Sequence, residues 1–404
     1  MLNNKEYLIS LFESDKPLII YKANQGYYIY TDFSDKKIVT KSNINTFIKK
    51  IFSPRKLRNK FFDGYIGFFG YQTCCELIGI KIPKQKNNSL SKSIFYKPQT
   101  VIKMNKKIFI KSLVPNFKSL KNLKKTHKKF YYENKFNVNI SLNQYSTIFR
   151  KFTKKIKKGE TYQIKICQKY RNKSKIDSVK YFWKLMEVNS SPESFLIRDK
   201  NFSIVSCSPE TLFYKHKQKI FTKPIAGTLK KSSHLSKRKA KMFFKKNIKE
   251  NKEHNMIVDM ERNDLSKICK SGTVKISKLK YVEEYKDLYH YVSKINGKLK
   301  EKIKTIDIIK AMMPGGSVIG CPKINTLNLL NHLEKDSRNI FTGSFGYIKS
   351  NYDMRFNIII RSLLNYKGIN EISVASGIIL GSKAKKEYEE NHIKAKSLLD
   401  IFKE

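Results

Sequence analysis

SIVSCSPETLFY, residues 203–214, contains two short strand-like runs, 203–207 and 211–214, with Ser208-Pro209-Glu210 between them. β-Branched and aromatic residues favour extended chain, and a proline interrupts a strand because it has no N–H to give to a ladder. Two strands are therefore expected here. Outward from this stretch, strand signals lie upstream at 162–170 and 195–198, and downstream at 356–364 and 371–380. Helical spacing marks 236–260 and 385–402. Strands in runs, with helices segregated between them, indicate an α+β architecture rather than regular βαβ alternation.

Before residue 103 the chain also alternates strand-like runs with glycine turns, as at 26–30 and 65–71. Residues 103–135 are rich in lysine and broken by asparagine, and helical spacing then follows at Tyr145, Ile148, Phe149, Phe152 and Ile156. The shift sets an expected boundary between a first part, 1–137, and a second, 138–404.

Composition narrows the function classes. A chain of 404 residues with 40% hydrophobic and 12% aromatic residues can bury a large core. Its longest apolar runs fall well short of the roughly 18 residues a membrane helix needs. Charged residues run through the first twenty positions, so a secretory leader is not expected and the cytoplasm is the expected location. The six cysteines form no CxxC pair and should be reduced, mostly buried thiols. Lys and Arg number 83 against 33 Asp and Glu, a formal net charge of +50. A basic RNA-binding protein is one reading of that charge. The lysines are spread along the whole chain, however, beside abundant Ile and Asn, which fits drift toward A/T-rich codons better than a specific nucleic-acid site.

Five segments place polar, charged and glycine residues where a plain core would be apolar: 206–210, 223–228, 253–265, 314–323 and the final helix. In that helix Glu387, Glu390 and Lys394 fall at i, i+3 and i+7, so two carboxylates and an ammonium share one face. Glu253 begins a second carboxylate patch, next to an apolar stripe of Met256, Ile257 and Met260. Mg²⁺ is commonly held by one or two protein carboxylates with water and substrate oxygens, a requirement that Glu253 and Glu390 could meet.

The motifs SCSPETLF, KPIAGTLKK, EHNMIVDMERNDL, PGGSVIGCPKI, TGSFGYI, FNIIIRSL and EYEENHIKAK occur in the order seen in chorismate-utilising enzymes. The chain resembles that family, and within it the large subunits of anthranilate synthase and aminodeoxychorismate synthase. FFDGYIGFFGY in the first part is similar to the family's glycine-rich N-terminal segment. The resemblance implies antiparallel β-sheets packed as a sandwich with helices outside, an N-terminal part like that of anthranilate synthase component I, and a chorismate-binding catalytic part.

By the same resemblance, Glu253 and Glu390, with Glu387 beside them, are the expected Mg²⁺ ligands. Arg361 and Lys394 are the expected partners of the substrate carboxylates, and backbone amides around Gly227, Thr228, Ala375, Ser376 and Gly377 should add contacts. Glu210 matches the general acid that protonates the departing hydroxyl, and His290 the active-site histidine.

Gln163 stands where water-adding relatives carry a lysine base, which favours ammonia as the nucleophile. Ala226 resembles anthranilate synthase, whereas PGGS at 314–317, TGSFGY at 342–347 and Phe356-Asn357 resemble the aminodeoxychorismate branch. Where anthranilate synthases have a Leu-Leu-Glu-Ser feedback element, this chain reads Ile19-Ile20-Tyr21-Lys22. The balance points to an aminodeoxychorismate synthase large subunit serving folate synthesis, with anthranilate synthase component I as the alternative. With alanine at 226, Lys165 is a candidate amine, since period two puts it on the strand face of Gln163. Ile319 and Cys321 replace family hydroxyl and alanine positions and are expected to lower turnover. No cysteine sits in a glutaminase nucleophile turn, so ammonia should come from a glutamine amidotransferase partner or from free ammonium.

Overall fold

The computed structural model describes residues 4–23, 25–52, 62–82, 89–90, 92–115, 133, 135–232, 235–285, 288–334 and 336–403. Its strands pair antiparallel, as expected. One run of neighbours is Asn137–Val138, Gln163–Asn172, Ile369–Ile378, Ser362–Tyr366, Phe202–Ser208, Glu193–Arg198, Leu18–Ala23, Gly26–Val39 and Ser93–Met104. From Ser93–Met104 the ladder continues through Gly64–Phe69, Ser344–Lys349, Met354–Asn357, Thr211–His216, Lys219–Lys223, Leu288–Lys298 and Lys275–Glu284. Ile19, Phe195 and Ile204 of the first stretch meet Ile66, Phe68 and Phe345 of the second in one buried cluster, with Phe195 stacked on Phe345 at 3.8 Å between ring centres. The sheet thus folds over on itself to form the interior of a sandwich.

Helices cover the outer faces. Leu8 and Leu11 of Asn4–Glu13, Phe182 and Leu185 of Ser178–Val188, and Leu398 of Ala384–Leu399 pack on Leu196, Val205 and Ile372. On the other side Ile44–Ile51, Tyr71–Leu77, Ile248–Ile268 and Thr305–Met312 bury apolar faces against Phe213, Ile295 and Phe356. Helix Leu142–Lys157 starts at Ser141, which with Gln144 forms a capping box, and it buries Tyr145, Phe149, Phe152 and Ile156. Such a cap contributes about 1 kcal/mol, and each fully buried apolar side chain roughly 1.5–3 kcal/mol. Among the described residues no helix is long and apolar enough to cross a membrane. All six cysteines are free thiols, five of them buried.

The first and second parts of the chain share their hydrogen-bonded ladder: residues 18–21 pair with 195–198, and 64–69 with 344–349. The expected long helix 236–260 is two helices, Lys237–Lys246 and Ile248–Ile268, because the Asn247 side chain accepts from the Glu250 N–H and restarts the turn. The expected strand 356–364 is likewise two, Met354–Asn357 and Ser362–Tyr366. Between them the carbonyl of Glu210 accepts the Ile358 N–H, and Arg361 takes a positive φ of 50°.

Candidate functional site

A cavity of about 760 Å³ opens beside the central strand Gln163–Asn172, walled by strands Ile225–Lys230, Leu288–Lys298 and Ile369–Ile378 and by helices Ile248–Ile268 and Ala384–Leu399. Of the residues singled out from the sequence, Glu210, His290, Ala226, Gly227, Thr228, Arg361, Ala375, Gly377, Lys394, Glu253, Glu390 and Lys165 all line it.

Glu210 follows strand Phe202–Ser208 and is buried, accepting a hydrogen bond from Ser317 Oγ at 2.9 Å. Burial raises its pKa to about 7, against the opposing pull of the Ser317 hydrogen bond and of Lys165 and Arg361. Near neutrality it can therefore hold a proton and release it, as a general acid must. Arg361 is brought to the cavity by the left-handed backbone at the strand break, a conformation uncommon for a non-glycine residue. Burial lowers its pKa, but a guanidinium starts so high that it stays charged.

His290 is fully buried and pairs its Nδ1 with Thr228 Oγ1 at 2.9 Å, while Nε2 has no hydrogen-bond partner. Burial, helped by Arg361, depresses its pKa to about 3, so the ring is a neutral imidazole at physiological pH. Gly227 has a φ of +94°, and a Cβ there would lie 2.3 Å from Glu250 Oε2 and 2.7 Å from the Phe244 ring. Only glycine fits that turn.

Gln163 is buried, and its Nε2 donates to Glu253 Oε1 at 2.8 Å. Gly377 makes this bond possible, since a Cβ there would stand 2.6 Å from Gln163 Nε2 and 3.2 Å from Glu253 Oε1. Lys165 Nζ lies 3.7 Å from the same Glu253 oxygen, and Lys394 Nζ lies 2.8 Å from Glu390 Oε1. Lys394 also donates to the Ala375 carbonyl at 3.1 Å.

Three expected residues stand apart from the rest. Glu387 is buried one turn before Glu390 and is not part of the cavity lining. Ser376 points away from the cavity by strand alternation and donates to the Glu387 carbonyl at 2.9 Å. Gln163 reaches the site only through Glu253. Ile319 is fully buried in an apolar cluster with Phe152, Ile164 and Ile378, so its missing hydroxyl is a matter of core packing; Cys321 packs beside Ala226, Ile257 and Met260.

Glu250 and Tyr285 also line the cavity, although the sequence reading passed over both. Glu250 precedes Glu253 by three residues on one helix, a spacing that does carry a same-face signal.

Among the described residues no three His, Cys, Asp or Glu side chains gather closely enough to hold a metal ion by themselves. Glu253 and Glu390 stand among the cavity-lining carboxylates, with Glu210, Glu250 and Asp400, as hard oxygen donors. That donor set fits Mg²⁺, which keeps several waters and takes substrate oxygens as further ligands.

The sequence profile described as chorismate binding enzyme matches residues 5–400. The chain is 35% identical over 260 residues to an anthranilate synthase component I-like protein of Synechocystis sp., covering 64% of this chain and 54% of that protein. It is 32% identical over 253 residues to aminodeoxychorismate synthase component 1 of Bacillus subtilis, covering 62% and 54%. In both alignments the chain spans about half the relative's length. Among solved structures, anthranilate synthase component I from Streptococcus pneumoniae matches with a TM-score of 0.76 at 22% identity, over 96% of this chain and 91% of that one. The menaquinone-specific isochorismate synthase from Escherichia coli matches at 0.77 and 15%, over 97% and 91%. Likeness at such identities is a likeness of fold.

Proposed function

This chain belongs to the chorismate-binding enzyme family, and from that premise we propose that it aminates chorismate with ammonia, as the large subunit of an aminodeoxychorismate synthase. The observation that carries the reading is Glu210, a buried acid with a pKa raised to about 7 and held by Ser317 in a cavity that also presents Arg361 and Lys394.

Chorismate is a dianion whose ring hydroxyl must leave as a nucleophile adds to the conjugated ring. Arg361 and Lys394 would bind its two carboxylates, where the planar guanidinium can give a bidentate hold. Glu210 delivers its proton to the hydroxyl oxygen, so the C–O bond breaks with loss of water instead of hydroxide. The ammonia nitrogen forms the new C–N bond, and the surplus proton it sheds balances the one that Glu210 gave up, so the acid form is restored. His290, a neutral imidazole whose Nε2 has no partner among the protein's described residues, would accept a hydrogen bond from substrate or from that nitrogen. Mg²⁺, held by Glu253 and Glu390, would supply a positive charge that stabilises the ring carboxylate and withdraws electron density. Glu387 would act from behind Glu390, one turn earlier on the same helix.

The aminodeoxychorismate reading is supported by Ser317, which belongs to the PGGS motif of that branch and donates to the acid itself. Anthranilate synthase component I is favoured by one observation, Ala226 on the cavity wall. Ammonia would come from a glutamine amidotransferase subunit, and the protein would act in the cytoplasm. Incubating the purified chain with chorismate, Mg²⁺ and ammonium, with mass spectrometry of the products, tests the reading. We expect 4-aminobenzoate only when aminodeoxychorismate lyase is added. Anthranilate and pyruvate formed without lyase would replace this reading with the second.

A further inference from the structure

The two carboxylates read as metal ligands are each paired with a lysine: Glu253 with Lys165 at 3.7 Å and Glu390 with Lys394 at 2.8 Å. The two pairs differ in kind. Lys394 follows Glu390 by four residues on one helix, the ordinary spacing of a helical ion pair. Lys165 comes from a different element, the central strand, and is 13% exposed. Its partner oxygen, Glu253 Oε1, also accepts the Gln163 amide at 2.8 Å. At 3.7 Å the ammonium is paired by charge and lacks a tight hydrogen bond, so a competing cation has little geometry to break. The residue facing Lys165 in register is Gly377, and the space its missing Cβ leaves is taken by the Gln163 amide and Glu253 Oε1, which sets the carboxylate beside the lysine. The charge of Lys165 is also felt at Lys394 and at Glu210.

We propose that Lys165 is an exchangeable counter-ion: it occupies Glu253 while the divalent cation is absent, and turns to the anionic substrate when the cation takes the carboxylate. This rests on the reading of Glu253 as a Mg²⁺ ligand and of the cavity as a chorismate site. The exchange makes the two ligands interdependent. Mg²⁺ alone must displace an ammonium from Glu253, whereas with chorismate bound that ammonium has a carboxylate of its own. Substrate therefore tightens metal binding, and by linkage metal tightens substrate binding by the same factor.

Calorimetric titration of the full chain with Mg²⁺, with and without chorismate and without ammonium, measures that factor. In the wild-type protein chorismate is expected to tighten Mg²⁺ binding about tenfold, within the usual range of such couplings. In K165M, Mg²⁺ alone should bind more tightly than to wild type, and the coupling should be smaller than in wild type, leaving the part due to substrate oxygens that ligate the cation directly. K165R, which keeps the charge, should restore both, and circular dichroism establishes that each variant is folded. Equal metal affinity in K165M and wild type, or weaker binding in K165M, overturns the exchange while leaving the metal site standing. No Mg²⁺ binding under any condition overturns both the exchange and the reading of Glu253 on which it rests.

Discussion

Glu210 and Glu371 are buried to nearly the same degree, at 6% and 7% exposure, yet their acidities move in opposite directions. Around Glu371 stand Lys169 at 3.0 Å, Arg171 at 2.8 Å and the Asn339 amide at 2.8 Å, and this company holds its pKa below the usual carboxylate value against the pull of burial. Glu210 has one neutral hydroxyl as hydrogen-bond donor, and burial wins. The lesson is that a charged pair in a wall and an acid in a pocket are told apart by what faces them, not by depth. The central strand shows the same contrast along its length: Lys169 and Arg171 close a structural network, while Lys165, two residues before Cys167, faces the cavity.

The largest expected effect breaks the functional side of this contrast. E210Q should keep the fold and lose amination by roughly a hundred- to ten-thousandfold, the usual worth of general acid catalysis, read as product formed per folded molecule. The same variant tests the raised acidity. Folded Glu210 keeps its proton up to about pH 7, while an unfolded glutamic acid loses it near 4.5, so its contribution to stability is present below 4.5 and is lost as pH rises to 7. Denaturant titrations of wild type minus E210Q should therefore show a fall of roughly 3 kcal/mol across that window.

K169M breaks the structural side. It strips Glu371 of a buried partner and should cost about 3–5 kcal/mol in chemical denaturation, with turnover per folded molecule unchanged. A loss of turnover without loss of stability would erase the distinction between the two carboxylates. R361Q should raise the KM for chorismate by roughly ten- to a hundredfold, the worth of a hydrogen bond to a charged group, and leave stability nearly as it was. The smallest effect sharpens the acid itself. Ser317 lowers the Glu210 pKa, so S317A should raise it further and carry the alkaline limb of the pH–rate profile upward by about one unit or less.

Much of this molecule was legible in local signals. The buried stripe of Tyr145, Phe149, Phe152 and Ile156 follows from spacing alone, and so does the shared face of Glu390 and Lys394. The division at Asn247 was missed because both flanking segments carry helical spacing, and a capping asparagine shows its role only when its side chain turns to the next backbone N–H. Arg361 was legible as a cation, but its aim depends on a strand break made by residues paired across the sheet. Ile319 looked like a change near substrate until the core around Phe152 and Ile164 claimed it.

By itself, then, the sequence determined the order of motifs, the α+β class and the chemical types in the site: one acid, one histidine, the cations and the facing carboxylates. Only the tertiary structure decided that Glu210 holds its proton near neutrality, that Lys165 pairs with Glu253, and that Glu387 and Ser376 turn from the cavity. The reason is that acidity and pairing depend on solvent and on neighbours within a few ångströms, and those of Glu210 come from residues 165, 317 and 361, which are far apart along the chain.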